Sequence, residues 1–167
     1  VLEEQSSTFE EVTATIANMN GTMVHMTEDI SLSSENLFEL GTIAEKLRAD
    51  LGNYKTSLST NDIIDLAKTD HLLWRWRIDS MLAGRVQLEA NNVKDHTICR
   101  LGKWYFGDGQ KQYGTNRTFQ SLDAVHAQFH KTCATAIELF KQGNKTQAQQ
   151  AYTEIHQLSN KVLDMLD

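Results

Sequence analysis

The sequence has 167 residues and no proline, where average usage would give about 8. Proline removes a backbone donor and clashes with the preceding helical turn, so its absence leaves helices free to run without interruption. Aromatic residues make up only 8% of the chain. An all-β sandwich, which needs frequent Gly/Pro turns, is excluded by the same shortage. No apolar run approaches the roughly 18 residues of a membrane span. The two cysteines, Cys99 and Cys133, are too few for a disulfide framework. As free thiols they point to a reducing, cytoplasmic compartment. The formal net charge of −6 argues against a nucleic-acid partner, because neutralising phosphates needs clustered Lys and Arg. The chain begins Val1-Leu2-Glu3-Glu4, with neither an initiator methionine nor a signal peptide, which points to a piece of a longer protein.

The charge is unevenly spread. Residues 1–58 carry 10 acidic and 3 basic side chains, against 12 and 13 in residues 59–167, and no Lys or Arg precedes Lys46. The first stretch has one dominant pattern. Steps of three and four from Leu2 give Leu2, Gln5, Phe9, Val12, Ile16, Met19, Met23, Met26, Ile30, Ser33, Leu37, Leu40, Ala44, Leu47, Leu51, Tyr54 and Leu58. All but Gln5 and Ser33 are apolar, which is the seam of a coiled coil. So narrow a stripe cannot bury itself and predicts partner helices. Gly21 and Gly41 each weaken such a helix by about 1 kcal/mol relative to Ala.

A boundary is expected near Leu58. Ser59 with Asp62 predicts a helix start, and the apolar stripe Ile64, Ala67, His71, Trp74, Ile78, Met81, Leu82 predicts a helix to about Asn91. A short helical segment is expected over 95–106, then a Gly-rich loop from Gly107 to Gly114. A further helix is predicted over 118–142, with the stripe Phe119, Leu122, His126, Phe129/His130, Cys133, Ile137 and Phe140. Gly143-Asn144 reads as a tight turn into a last helix carrying Ala148, Ala151/Tyr152, Ile155, Leu158, Val162 and Leu166. The expected fold is all-α: a long coiled-coil helix over 1–58, then a small antiparallel four-helix-type bundle over 59–167.

Three histidines fall on apolar stripes, and a lone buried histidine is usually just a packed, hydrogen-bonded residue. His126 and His130, at i and i+4, project from one helix face, the spacing of two ligands to one metal. His71 lies on another buried stripe and Cys99 on the short segment. Together they make a closed tetrahedral His3Cys zinc set, and thiolate disfavours Mg²⁺ or Ca²⁺. Spacing alone leaves both readings open. His126-Ala-Gln-Phe-His130 is not a metalloprotease motif, since Ala127 stands where the general-base Glu is needed. Four protein ligands would also leave no position for an activated water.

His71-Leu-Leu-Trp74, Cys99-Arg-Leu-Gly-Lys-Trp-Tyr105 and His126-x3-His130, in this order, resemble the chemoreceptor zinc-binding domain, over about 100 residues from Ser59 onward. The resemblance implies a dimeric helical bundle in which His71, Cys99, His126 and His130 bind one zinc per chain with high affinity. The segment Ser6-Ser7-Thr8-Phe9-Glu10-Glu11-Val12-Thr13-Ala14-Thr15 looks like the methylation segment of a methyl-accepting chemotaxis receptor. With Phe9 and Val12 on the seam, Glu10 and Glu11 lie outside it, either as methylation sites or as an ordinary solvated face. For the full protein the resemblance implies a chemotaxis histidine kinase and a coupling protein as partners. Zinc-binding domains of this family also regulate diguanylate cyclases, but a receptor-like coil precedes this one and no cyclase residues are evident.

Two inputs follow from the chemistry: zinc itself, by occupancy, and an oxidant acting on the zinc-held Cys99 thiolate. The resemblance implies hypochlorous acid as the oxidant. A purely structural zinc staple is the competing reading. Cys133, on the ligand face, reads either as a resolving thiol or as a small core residue. Asp70 and Asp123 are candidates to orient ligand imidazoles. His96 is placed near the site by its distance from Cys99, and His25 and His156 have no evident partner. Trp74, Trp104 and Tyr105 are expected to pack around the metal, with their polar atoms hydrogen-bonded. No catalytic residues are expected.

Overall fold

In a computed structural model the described residues are 2–53 and 58–167, and among them every side chain except those of 2–4, 45 and 48–53. Leu2 and Leu51, as seam side chains, and Tyr54 therefore lie outside the described set. All the regular structure is helical, with no strand among the described residues. No helix is long and apolar enough to cross a membrane. The chain divides into two units, Val1–Lys55 and Thr56–Asp167.

The first unit is one helix, α1 (Leu2–Asn53). It runs through Gly21 and Gly41 unbroken, because a glycine costs a long helix about 1 kcal/mol without stopping it. Its seam has no cover of its own: Phe9, Val12, Ile16, Met19, Met23, Met26, Ile30, Leu37, Leu40 and Leu47 are all exposed.

The second unit begins at Ser59, whose Oγ accepts from the Asp62 N–H while the Asp62 carboxylate accepts from the Ser59 N–H. This reciprocal cap starts α2 (Thr60–Leu82). The helix was expected to reach Asn91 but ends nine residues earlier, because Gly84 adopts φ +76°. There the Arg85 and Gly84 N–H groups close back on Ser80 and Met81 carbonyls, a C-terminal lock open mainly to glycine. After a short 3-10 turn (Ala90–Asn92) the chain enters α3 (Arg100–Trp104). The predicted Gly-rich loop is instead mostly helical. A wider π-type turn (Tyr105–Gly109), kinked at Gly107, leads into α4 (Gln110–Tyr113). Tyr105 and Phe106 carry the helix into this stretch, and Tyr105 stacks on Phe119 at 4.3 Å between ring centres. Glycine count alone missed that anchoring.

Asn116 caps α5 (Arg117–Lys141), accepting from the Thr118 and Phe119 N–H groups. Gly143, at φ +81°, turns the chain into α6 (Lys145–Leu166). The helices α5 and α6 form an antiparallel hairpin, against which α2 packs; α3 rests on α2. The core has two apolar parts. One gathers Ile78, Met81, Val93, Phe129, Cys133, Ile137 and Ile155; the other gathers Ala67, Leu101, Trp104, Tyr105, Phe119, Leu122 and Val162. Along α2 and α5 the buried histidines fall between these two groups.

Candidate metal centre

Each histidine is positioned by the stripe it sits on. His71 follows Ala67 by one turn of α2, and its Nδ1 donates to the Ala67 carbonyl at 2.7 Å. His130 lies one turn beyond His126 on α5, and its Nδ1 donates to the Val93 carbonyl at 2.5 Å. Once Nδ1 is committed as a donor, the neutral ring leaves Nε2 as a bare lone pair. Both of these Nε2 atoms, on His71 and His130, are buried without a hydrogen-bond partner. All three rings of His71, His126 and His130 are 2% exposed, and their ligand atoms lie within 4.8 Å of one another. The ring centres are 5.0 Å apart for His71–His126 and 4.7 Å for His126–His130.

Orphaned buried lone pairs are costly. Two that converge on a third imidazole need an electrophile, and a metal cation meets that need. Burial also keeps the rings neutral and ready to ligate. It pushes His126, helped by the neighbouring imidazoles, down to about 2, and His130 down to about 4. Burial likewise lowers His71, although the Ala67 carbonyl and Asp70 work against it.

Cys99 meets the trio at His126. Its Sγ lies 3.3 Å from His126 Nε2, close to the roughly 3.3–3.6 Å between neighbouring donors on a tetrahedral zinc. The loop that delivers it is built from local hydrogen bonds. Asp95 accepts from the Thr97 N–H and hydroxyl, turning the chain at His96. Cys99 then caps α3, its Sγ accepting from the Gly102 N–H at 3.3 Å while the thiol donates to the His96 carbonyl at 3.2 Å. Gly102 is required by that turn, since a Cβ there would lie 2.1 Å from the His96 carbonyl oxygen. Burial raises the Cys99 thiol above its ordinary value, against the pull of the Gly102 and Leu101 amides. A cation in the site would reverse that balance and hold the thiolate. His71, Cys99, His126 and His130 are thus positioned to form a metal site.

The other singled-out residues fall at varied distances. The Asp123 carboxylate meets His96 Nε2 at 3.1 Å, and the His96 ring stands 5.4 Å from that of His126. Asp70 accepts from Arg100 Nε at 3.2 Å. This contact ties the residue beside His71 to the residue beside Cys99, and nothing in the spacing of the sequence announced it. Cys133 is fully buried in the neighbouring apolar group, where desolvation drives its thiol far up. Trp104 and Tyr105 are buried and Trp74 is half-buried, but Trp104 Nε1 has no partner among the described residues, contrary to expectation. His156 lies between Arg75 and the Tyr152 hydroxyl, and His25 faces Glu28 on α1. Neither joins the trio. Glu10 and Glu11 are exposed on α1.

No curated protein and no solved structure gives a significant match to the chain. A family model does match, over residues 71–137, from His71 to a point on α5 beyond His130. The family is the chemoreceptor zinc-binding domain, zinc is the metal its members bind, and residues 71–137, which hold all four positioned side chains, are similar to it.

Proposed function

We propose that the chain is a cytoplasmic chemotaxis sensor in which residues 59–167 bind one zinc per chain through His71, Cys99, His126 and His130. Residues 1–58 would be the receptor-type coil that carries the response. The observation that supports this reading is the pair of buried, unpartnered Nε2 atoms on His71 and His130, converging with His126 and Cys99. When bound, zinc supplies the positive charge that keeps Cys99 as a thiolate. The Ala67 and Val93 carbonyls fix two imidazoles in the ligating tautomer. The Gly102 amide holds the sulfur at the start of α3.

Cys99 is the only donor of the set that oxidation removes. Converting its thiolate to a sulfenic acid weakens one ligand of four. The short 95–104 element, held by that sulfur and by the Asp70–Arg100 pair, would then loosen from α2 and α5. In the whole protein this change alters the output of a histidine kinase bound through a coupling protein. Glu10 and Glu11 serve as methylation sites on the coil, where esterification removes charge from a stretch without nearby cations. The protein acts as a homodimer, with the exposed seams of α1 meeting, and it catalyses no reaction. The competing reading, a zinc staple that senses nothing, uses the same ligands.

The test is zinc content and affinity before and after stoichiometric hypochlorous acid, for the wild type and Cys99→Ala. About one zinc per chain, with affinity lost on oxidation only when Cys99 is present, supports the sensor. Tight zinc indifferent to oxidant leaves the staple, and no zinc at all overturns both.

A further inference from the structure

We propose that a cavity beside Cys99 is the entry port for small anionic oxidants of the hypochlorite class, with Arg100 as the residue that holds the oxidant and then the departing chloride. The proposal rests on the reading of Cys99 as the redox-responsive ligand and deepens it. The cavity, about 220 Å³, is lined by Asp70, His71, Trp74, Cys99, Arg100, Leu101 and His130. It therefore reaches three of the four metal-site residues from one side. Liquid water takes about 30 Å³ per molecule, so the space admits a solute of a few heavy atoms together with its water. Trp74 and Leu101 give it apolar walls. Cys133 is not on the lining and is fully buried, so the cavity directs an oxidant to one sulfur of the two.

Arg100 and Asp70 both line the cavity and are each about a third exposed along the side chain. Arg100 commits its Nε to Asp70. Among the described residues its two Nη groups have no hydrogen-bond partner. A pinned guanidinium with four free N–H donors, next in sequence to the reactive sulfur, suits a small anion. In the step itself the hypochlorite held at Arg100 takes a proton from solvent water to become hypochlorous acid, and the Cys99 thiolate attacks its oxygen. The S–O bond forms, the O–Cl bond breaks, and chlorine leaves with the bonding pair as chloride. Sulfur loses two electrons, chlorine gains two, and the proton stays on the sulfenic oxygen. Negative charge thereby moves from the sulfur to the leaving chloride, where the Arg100 Nη groups stabilise it.

The experiment follows Cys99 sulfenic acid formation and zinc release in the zinc-loaded chain. The probes are hypochlorite, uncharged hydrogen peroxide and the bulkier taurine chloramine. Arg100→Gln should slow the hypochlorite reaction about tenfold while leaving the peroxide rate unchanged, and any loss of zinc affinity should be matched by Asp70→Asn, which breaks the same pair. Arg100→Lys should restore most of the rate, and Asp70→Asn, which frees the arginine, should keep or raise it. Taurine chloramine should lag hypochlorite in the wild type. Equal slowing by Arg100→Gln and Asp70→Asn, or equal slowing toward peroxide and hypochlorite, would show a structural latch and overturn the port. Access is read separately by thiol labelling of the metal-free protein, where methyl methanethiosulfonate should outpace a dye-bearing maleimide at Cys99. Equal labelling sinks the port even if oxidants release zinc. Zinc-loaded wild type in which hypochlorite leaves Cys99 untouched sinks the sensing reading and the port together.

Discussion

At the scale of single residues, the centre is a set of neutral imidazoles kept in a place where charge is expensive. Folding holds His126 near 2 and His130 near 4, while an unfolded histidine titrates near 6.5. Between about pH 4 and 6.5 the unfolded chain therefore binds more protons than the folded one. Stability of the metal-free protein must then rise with pH across that window and level off above it. For His130 alone the difference is on the order of 3 kcal/mol. Urea unfolding of the metal-free protein should show a clear loss of stability at pH 5 relative to pH 7.5, and His126→Leu/His130→Leu should flatten the slope. A pH-independent wild type would mean that the rings find protons, and hence solvent, in the folded state. Ligation should be equally sensitive to single residues. His71→Ala removes a donor whose Nδ1 is already oriented by Ala67, and zinc affinity measured by chelator competition should fall by more than the roughly 10–100-fold typical of losing an outer partner. In the sequence, ligand chemistry and the i, i+4 spacing made His71, Cys99, His126 and His130 candidates without deciding between a metal site and packed core residues, and the family resemblance singled out the four as a set. Arg100 was not singled out, because its pairing with Asp70 spans two elements and follows no local spacing.

At the scale of elements, the decisive piece is the shortest. The helix α3 has five residues and cannot persist by propensity. It exists because Cys99 caps it, Gly102 lets the backbone come close, and Leu101 and Trp104 bury against α2 and α5. Gly102→Ala should therefore act as a clash rather than a propensity gain. With its Cβ 2.1 Å from the His96 carbonyl oxygen and 2.8 Å from Thr97 backbone atoms, the turn must open, at a cost of about 1–3 kcal/mol. Thermal melting of the metal-free variant reads that cost. A drop in zinc affinity larger than for an exposed control such as Gly21→Ala, where no atom lies within 4 Å, would show that the turn positions the sulfur. A Gly102→Ala protein as stable and as tight for zinc as wild type would remove the turn from the account. The long helices were readable from periodicity, and the start of α2 from its cap residues, whereas the Asn116 cap of α5 was not singled out. The end of α2 and the helical course of 105–113 were not readable. Both depend on tertiary or main-chain detail, the positive φ of Gly84 in one case and aromatic stacking on Phe119 in the other.

At the scale of the whole molecule, the two units satisfy their apolar surface in different ways. The second encloses Ile78, Phe129, Ile137, Ile155 and Val162 completely. Among its described side chains the first buries none, and its seam from Phe9 to Leu47 is exposed in the single chain. A fragment of residues 59–167 should accordingly fold alone and bind zinc with the affinity of the full chain, within about threefold. A fragment of residues 1–53 has no core to complete, and helix propensity gives little stability without packing. Its helicity, followed by circular dichroism, should rise with protein concentration as seams find one another. Leu40→Asp, which places a charge on the seam, should suppress that rise, whereas Glu39→Gln on the exposed flank should not. Concentration-independent helicity in both the fragment and its Leu40→Asp variant would mean that the seam is not an association surface. Loss of zinc binding from 59–167 would mean that the metal centre depends on the coil. The first result would detach the coil from its assigned role while leaving the metal chemistry standing. The second would make coil and centre one folding unit, and coupling between them would then need no separate transmitting element.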